Sequence, residues 1–243
     1  MEQNPAPTIV ILAAGLGKRM RSDLPKVVVS TRKAPMLHHV LDAASPLSAR
    51  LTVIVTGHKR EIVEQIALES GYSHPLTFAF QEKQEGTGHA VRCAEPFLSD
   101  HSGDVLILSG DVPLIQTTTL RAFLDFHRSE KSTVSIISTL LPDPGNLGRV
   151  ERNKEDGTFE RIVEAKDCTT EQLKINEING GIYAVDSSFL WKALHSLKNN
   201  NAQREYYLTD IVEIARSQQL KVSSFLISNS DEILGVNSRQ SLP

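Results

Sequence analysis

An unbroken apolar run near the N-terminus, followed at once by a glycine-rich turn, most restricts the fold of this chain. The run covers residues 8–12, and Gly15 and Gly17 follow it. Because polar residues do not alternate with apolar ones, the run predicts a strand buried on both faces, as in a parallel sheet covered by helices. The two glycines let backbone N–H groups approach a ligand closely. The segment therefore predicts a ligand site at the carboxyl end of the first strand.

Basic residues after this turn indicate which kind of ligand the site takes. Arg19 and Lys26 can meet negative charge, so the segment predicts a site for the phosphates of a nucleotide. The turn matches neither a Walker loop, G-x-x-x-x-G-K-[ST], nor a dinucleotide fingerprint, because Met20 stands at the third glycine position of the latter. A plain strand and turn with surface basic residues is the alternative interpretation.

Apolar strands alternate with amphipathic helices through the first half of the chain. This βαβα order favours an α/β fold with a Rossmann-like, doubly wound, mostly parallel sheet, which binds ligands at the carboxyl ends of its strands. The predicted strands cover residues 51–55, 76–80, 105–108 and 133–137, and the predicted helices cover 37–44, 59–68, 88–94 and 120–127.

The second half changes character at a turn cluster over residues 142–146. Short strands are predicted at 148–151, 158–164 and 177–185, with helices at 190–197 and 208–215. The 243 residues, of which 40% are hydrophobic, suffice for one large core. We therefore expect a single domain over 1–243, with a nucleotide-binding sheet over about 8–140 and a smaller lobe over about 141–239.

Composition excludes several other classes of protein. The net charge of −3 argues against broad nucleic-acid or membrane affinity, and no apolar run is long enough to span a membrane. The chain has two cysteines, Cys93 and Cys168, and they lack metal-ligand spacing. Because so few cysteines do not form a disulfide framework, we expect a reducing, cytoplasmic location. The polar start of the chain predicts no signal peptide.

A second glycine motif, Gly86-Thr87-Gly88-His89-Ala90, follows a predicted strand and opens a helix. Backbone N–H groups at such a helix start bind ligand oxygens. An equally good interpretation is a glycine-rich helix entry in which Thr87 caps the helix.

Asp111 follows the buried strand at 105–108, directly after Ser109 and Gly110. At that place an aspartate points into the crevice where open α/β sheets bind ligands. A magnesium ion is usually held by one or two protein oxygens together with phosphates and water, so Asp111 is a candidate ligand. A simple turn or helix-cap role is the alternative interpretation.

Four later segments complete a pattern that resembles a known family. They are residues 162–167, 177–182, 199–210 and 235–239. Together with the N-terminal turn and residues 86–90, they resemble the sugar-nucleotide pyrophosphorylases. Within that group they resemble the N-acetylglucosamine-1-phosphate uridylyltransferases, the first half of bacterial bifunctional enzymes that make UDP-N-acetylglucosamine. The resemblance runs from about Ile9 to Arg239 and implies the nucleotide-diphospho-sugar transferase fold, with the smaller lobe binding the sugar.

The resemblance also implies a role for individual residues. Arg19 and Lys26 would be catalytic, acting on the phosphates. The nucleotide would be bound by Leu12, Ala13, Ala14, Gly15, Gln81, Gly86, Thr87, Ser109, Gly110 and Asp111. The sugar would be bound by Gly148, Glu164, Asn179 and Asn237, and Asp111 and Asn237 would hold Mg²⁺.

The activity implied is transfer of UMP from UTP to N-acetylglucosamine 1-phosphate, with release of pyrophosphate. It would take place in the cytoplasm and serve peptidoglycan and lipopolysaccharide synthesis. A pyrophosphorylase for another sugar or base is the nearest alternative. A non-catalytic sugar-nucleotide sensor on the same fold is a second alternative, and an assay for pyrophosphate release would separate it from an enzyme.

The sequence departs from the family pattern in a few places. Lys18 stands where the family usually has Thr, Ser109 where it often has Tyr, and Gly180 where it often has Thr. No hexapeptide repeat follows Arg239, so we expect one activity, no acetyltransferase β-helix domain, and a monomer or weak dimer.

Overall fold

The computed structural model describes residues 5–15, 24–31 and 34–235, and these build one mixed sheet flanked by helices. Its nine strands in the described residues are β1 (Thr8–Leu12), β2 (Leu51–Thr56), β3 (Leu76–Phe80), β4 (Asp104–Ser109), β5 (Val134–Leu140), β6 (Arg149–Arg152), β7 (Phe159–Val163), β8 (Glu177–Asp186) and β9 (Val222–Leu226). The helices are α1 (Met36–Ala44), α2 (Arg60–Glu69), α3 (Thr87–Cys93), α4 (Glu95–Leu98), α5 (Thr117–Ser129), α6 (Ser187–Ser196) and α7 (Asp210–Ser217).

The main path of the sheet has the strand order β3-β2-β1-β4-β8-β5-β9. Strands β3, β2, β1 and β4 are parallel neighbours, while β8 runs antiparallel to both β4 and β5. Since β9 is parallel to β5, β8 alone is reversed on this path. The β6–β7 hairpin joins the sheet through the pairing of Arg149 with Ile178. The prediction of a mostly parallel α/β sheet is confirmed.

Two apolar layers cover the faces of the sheet. Successive residues of β1 point to opposite sides: Val10 belongs to one buried cluster, and Ile9 and Ile11 belong to the other. Helices α3, α6 and α7 contribute to the first cluster, and α1, α2 and α5 to the second. This burial on both sides explains why the strands read as continuous apolar runs.

The amphipathic helices use the faces that their spacing predicts. On α5, the side chains of Leu120, Phe123, Leu124 and His127 are all buried. Each fully buried Leu or Phe contributes about 1.5–3 kcal/mol relative to an exposed one, which fixes the helix on the sheet. None of the helices in the described part of the chain is long and apolar enough to cross a membrane.

Two features of the sheet were not predicted. Strand β9 escaped prediction because Ser223 and Ser224 interrupt its apolar pattern, and the structure places it at the edge beside β5. Strand β8 was predicted as a strand, but its place between β4 and β5 was not. The two predicted parts of the chain therefore share one sheet, with β8 and β9 supplied by the second part.

Candidate active site

The carboxyl ends of β1 and β4 lie side by side and form the floor of the site. Leu12 pairs with Ser109, and the Gly110 N–H donates to the Leu12 carbonyl over 2.9 Å. A Cβ on Gly110 would lie 2.9 Å from the same carbonyl oxygen, so a side chain here would force the two loops apart. Glycine thus lets Asp111 stand directly beside the loop that follows β1.

An ion pair between Lys26 and Asp111 lies at this floor. The Lys26 Nζ, from the short 3-10 turn Lys26–Val28, donates to Oδ2 of Asp111, and both side chains are half-buried. Val27 packs against Gly110, which fixes the turn that carries the lysine. Asp111 does not cap α5, because that helix begins at Thr117 after Gln116. The pair brings together two residues that are 85 positions apart in sequence.

A cavity of about 260 Å³ opens above β1, and many residues predicted to bind the nucleotide line it. These are Leu12, Ala14, Gly15, Gln81, Gly86, Thr87, Ser109 and Asp111, together with Lys26. Ala13 and Gly110 support the wall from behind: Ala13 is buried, and its N–H donates to Val55. We refer to this space as the β1 cavity.

The glycine motif at α3 is held by the segment around Tyr206. Gly86 has φ +110°, and a Cβ on it would lie 2.6 Å from the Tyr206 carbonyl oxygen. That carbonyl accepts the Gly88 N–H over 2.8 Å, and the Tyr206 N–H donates to Glu85 over 2.7 Å. Residues 86–90 and 199–210 therefore form one structural unit, although they are far apart in sequence.

Thr87 does not cap α3, because Gly86 occupies the cap position and makes no side-chain cap. Its hydroxyl instead accepts the Leu208 N–H over 3.0 Å. Gln81 donates to the Gly86 carbonyl over 3.0 Å and bonds His89 over 3.0 Å. These bonds leave the loop between β3 and α3 with a defined shape at the edge of the β1 cavity.

A second cavity of about 370 Å³ adjoins the first, and we call it the β8 cavity. Gly148, Glu164 and Asn179, which were predicted to bind the sugar, all line it. Ser109 and Asp111 line both cavities, so the carboxylate of the ion pair lies where the two spaces meet, and Lys26 lies on the side of the β1 cavity. Among the described residues, those predicted to bind the nucleotide thus lie at the β1 cavity, and those predicted to bind the sugar lie at the neighbouring β8 cavity.

Asn179 is oriented by its own strand. Its Nδ2 donates to the Tyr183 hydroxyl over 2.7 Å, and its Oδ1 accepts the Gly181 N–H over 3.1 Å. Gly181 has φ +72°, at the irregularity where the register between β5 and β8 shifts. The backbone N–H of Asn179 donates to Gly148 over 2.9 Å, which brings two predicted sugar ligands together.

Glu164 follows β7 and is half-buried rather than a solvated strand end. Burial raises the pKa of its carboxyl, and a hydrogen bond from the Thr209 hydroxyl over 3.2 Å partly opposes the rise. On its other side lies a third cavity of about 520 Å³, shared with Asp167 and Asp210. Burial, with Glu213, Glu164 and Asp167 nearby, raises the pKa of Asp210 to about 6.

Arg19 and Asn237 lie outside the described residues, as does Lys18, so the predicted roles of Arg19 and Asn237 stay predictions. Among the residues that are described, no group of three or more His, Cys, Asp or Glu could enclose a metal ion. Both cysteines are free thiols.

Several lining residues were not predicted. Gln84 donates to the Ala14 carbonyl over 2.5 Å, and Glu205 also lines the β1 cavity. Ile233 and Gly235 line the β8 cavity. A glutamine three residues after Gln81 offers no recognisable pattern, and Ile233 looks like an ordinary core residue in the sequence.

Comparison with known proteins adds evidence of three kinds. A family model described as nucleotidyl transferase matches residues 8–230. The bifunctional protein GlmU of Thermoanaerobacter pseudethanolicus is 47% identical over 233 residues, covering 96% of this chain and 49% of that protein. GlmU of Clostridium botulinum is 42% identical over 233 residues, covering 96% of this chain and 50% of that protein. The chain therefore spans about half the length of these curated relatives.

Two solved structures share the fold at low sequence identity. A UDP-glucose pyrophosphorylase complexed with UDP-glucose aligns with a TM-score of 0.74 and 15% identity, covering 90% of each chain. A putative glucose-1-phosphate thymidylyltransferase from Bacillus anthracis aligns with a TM-score of 0.76 and 18% identity, covering 98% of this chain and 92% of the other.

Proposed function

The chain belongs to the nucleotidyl transferase family, and from this membership we propose that it transfers UMP from UTP to N-acetylglucosamine 1-phosphate and releases pyrophosphate. The observation that carries the proposal is the shared wall: Asp111, paired with Lys26 of the β1 cavity, lies where the β1 and β8 cavities meet. A nucleotide in one cavity and a sugar phosphate in the other would meet at that pair. Identities of 42–47% to GlmU proteins over nearly the whole chain support the choice of substrates.

The reaction needs positioning and charge stabilisation more than a protein nucleophile. A phosphate oxygen of the sugar phosphate attacks the α-phosphorus of UTP, and the bond from the α-phosphorus to the bridging oxygen breaks as pyrophosphate leaves. We assign Lys26, together with Arg19, to the negative charge that develops on the phosphates. The loops after β1 and β3 orient the nucleotide, and Gly148, Glu164 and Asn179 orient the sugar.

Nucleotidyl transferases of this kind generally use a divalent metal ion, and we propose Mg²⁺ held by Asp111 and Asn237. The donors fit this ion, because Mg²⁺ is usually bound by one or two carboxylates with phosphates and water, and a protein cage is not needed. Asp111 offers one half-buried carboxylate on the wall that both cavities share. The bound ion would neutralise and orient the phosphates.

Pyrophosphate release by the purified chain tests the proposal. We expect release with UTP, N-acetylglucosamine 1-phosphate and Mg²⁺ together, and none when either substrate is left out. Faster release with another nucleotide or another sugar 1-phosphate would assign the chain to a different pyrophosphorylase. Absence of release across a panel of nucleotides and sugar phosphates would favour the sensor alternative and overturn the proposal.

A cytoplasmic location and a monomeric or weakly dimeric state are part of the same proposal. Two free thiols and a net charge of −3 support a reducing compartment and small-molecule partners.

A further inference from the structure

The segment at residues 227–235, which we call the closing segment, leads from β9 to the β8 cavity. It is tied to β5 by two hydrogen bonds, one from the Ile227 N–H to Ser138 and one from the Thr139 hydroxyl to the Ile227 carbonyl, both over 2.9 Å. Further on, the Glu232 carboxylate accepts the Gln116 N–H over 3.3 Å. The segment therefore has a fixed course, and its last three residues line the cavity.

Ile233 is seated directly on Gly180. Its side chain is only 4% exposed, although it lies at the rim of a cavity. A Cβ on Gly180 would lie 2.6 Å from Cδ1 and 3.2 Å from Cβ of Ile233, with the Ile137 carbonyl oxygen at 3.0 Å. Ile233 thus fills the space that a side chain at position 180 would take, and the two residues are complementary in size.

The same segment touches the shared wall two residues later. A Cβ on Gly235 would lie 3.1 Å from Oδ2 of Asp111, the oxygen that also accepts from Lys26. Any shift of Ile233 away from Gly180 would therefore change the contact at Asp111. Gly180 and Ile233 line the β8 cavity but not the β1 cavity.

We propose that Ile233 is a positioning residue for the second substrate: seated on Gly180, it holds the closing segment against the β8 cavity and the Asp111 wall. The identity of that substrate rests on the proposed function, whereas the packing of Ile233 on Gly180 does not. Asn179, the proposed sugar ligand, directly precedes Gly180, so a displaced segment would disturb the sugar site first.

The substitution Gly180→Thr tests this role of Ile233, because the new side chain would collide with the Ile233 side chain. We expect the KM for N-acetylglucosamine 1-phosphate to rise about 10-fold, a loss of about 1.4 kcal/mol in binding, and kcat to fall by up to about 10²-fold, the effect of a misplacement of about 1 Å. The KM for UTP should rise less, because neither residue lines the β1 cavity and the displaced segment reaches Asp111 only through Gly235. General destabilisation would instead lower the apparent kcat through a smaller folded fraction and leave both KM values unchanged. An equal rise in both KM values would overturn the proposal.

A second substitution separates size complementarity from other effects. Adding Ile233→Val to Gly180→Thr removes a methyl group at the point of collision and should restore most of the lost affinity for the sugar phosphate. Ile182→Val in the same background is the matched control, since it removes the same methyl group from the same buried cluster. Equal KM values in the double variant and in Gly180→Thr would contradict the proposal, as would equal rescue by the control.

Hydrogen–deuterium exchange makes the test independent of activity. We expect faster exchange over residues 227–235 in Gly180→Thr, and exchange near the wild-type rate once Ile233→Val is added. If Gly180→Thr does not fold, Gly180→Ala presents only the colliding Cβ and serves in its place. If the wild-type chain does not transfer UMP, the proposed function is wrong. If Gly180→Thr exchanges at the wild-type rate over residues 227–235, the proposed role of Ile233 is wrong.

Discussion

At the scale of single residues, a contribution to folding stability does not explain the position of the Lys26–Asp111 ion pair. Exposed ion pairs contribute only about 0–1 kcal/mol, because solvent screens them and ordering two side chains costs entropy. For buried pairs the cost of removing both charges from water offsets much of their attraction, so this half-buried pair is weak evidence for stability. Asp111 lies on the wall shared by the two cavities, and Lys26 lines the β1 cavity beside it, so both charges face spaces that a ligand can fill. A role in binding and chemistry explains its position better than a contribution to folding does.

Replacing Asp111 by Asn should therefore separate activity from stability. The amide keeps the shape of the side chain but loses the charge that holds a cation, so we expect turnover to fall about 10²–10³-fold. The urea midpoint of unfolding should change little. Asp125→Asn, on the exposed face of α5, is the control and should retain full turnover. Near-normal turnover of Asp111→Asn at limiting Mg²⁺ would remove Asp111 as a metal ligand.

Glu164 should make sugar binding sensitive to acid. Because burial raises the pKa of its carboxyl, the charged form disappears at a higher pH than for an ordinary glutamate as the solution is acidified. We expect the KM for the sugar phosphate to rise as pH falls through that raised pKa. In Glu164→Gln this component should vanish, leaving titration of the substrate phosphate and of Asp210, whose pKa is raised to about 6. Identical KM profiles in the two proteins would show that Glu164 does not bind the sugar as a carboxylate.

At the scale of elements, the apolar runs revealed most of the sheet but not its order. Continuous hydrophobic strands and helical spacing are local patterns, so β1, β2, β3, β4, α1 and α5 were predictable. The reversed β8 between β4 and β5 depends on contacts far apart in sequence, and the serines in β9 concealed an edge strand. The same limit applies to the site. Asp111 and Lys26 were predictable from their motifs, whereas the contact between Ile233 and Gly180 is visible only in the structure.

The union of α3 with the Tyr206 segment predicts an unequal response to two glycine substitutions. Gly157 has φ +73° in an open turn, so Gly157→Ala should cost only the left-handed backbone, about 1–2 kcal/mol. Gly86 has φ +110° and in addition faces backbone atoms of Tyr206 that cannot rotate away. Gly86→Ala should cost about 1–3 kcal/mol more, because overpacking adds to a backbone conformation, φ +110° with ψ 174°, that is open essentially to glycine alone.

Urea unfolding of the two variants measures this difference. The Gly86 variant should also show weaker UTP binding, because the loop at the β1 cavity shifts, whereas the Gly157 variant should bind UTP normally. Equal losses of stability would show that neither the contact with Tyr206 nor the extended positive-φ backbone adds to the cost at Gly86.

At the scale of the whole molecule, the shared sheet argues against independent folding of the two parts. Strands β8 and β9 come from the second part and pair directly with β4 and β5 of the first. Trp191, the single tryptophan, lies in α6 and reports on the second part. We expect its fluorescence and the far-UV circular dichroism to change at the same urea concentration. An earlier fluorescence transition would reveal a separately unfolding lobe.

The inserted position of β8 also has a consequence for the order in which the protein is synthesised. On a ribosome, β5 emerges well before residues 177–186, yet within the described sheet it reaches β4 only through β8. A nascent chain of intermediate length therefore exposes an unpaired edge on β4 and both edges of β5, which are templates for aggregation. The loop at α3 gains its partners later still, when Tyr206 and Leu208 emerge. Nucleotide binding should consequently appear only after residue 208 has left the ribosome, and the growing sheet stays exposed to aggregation until β8 has been added.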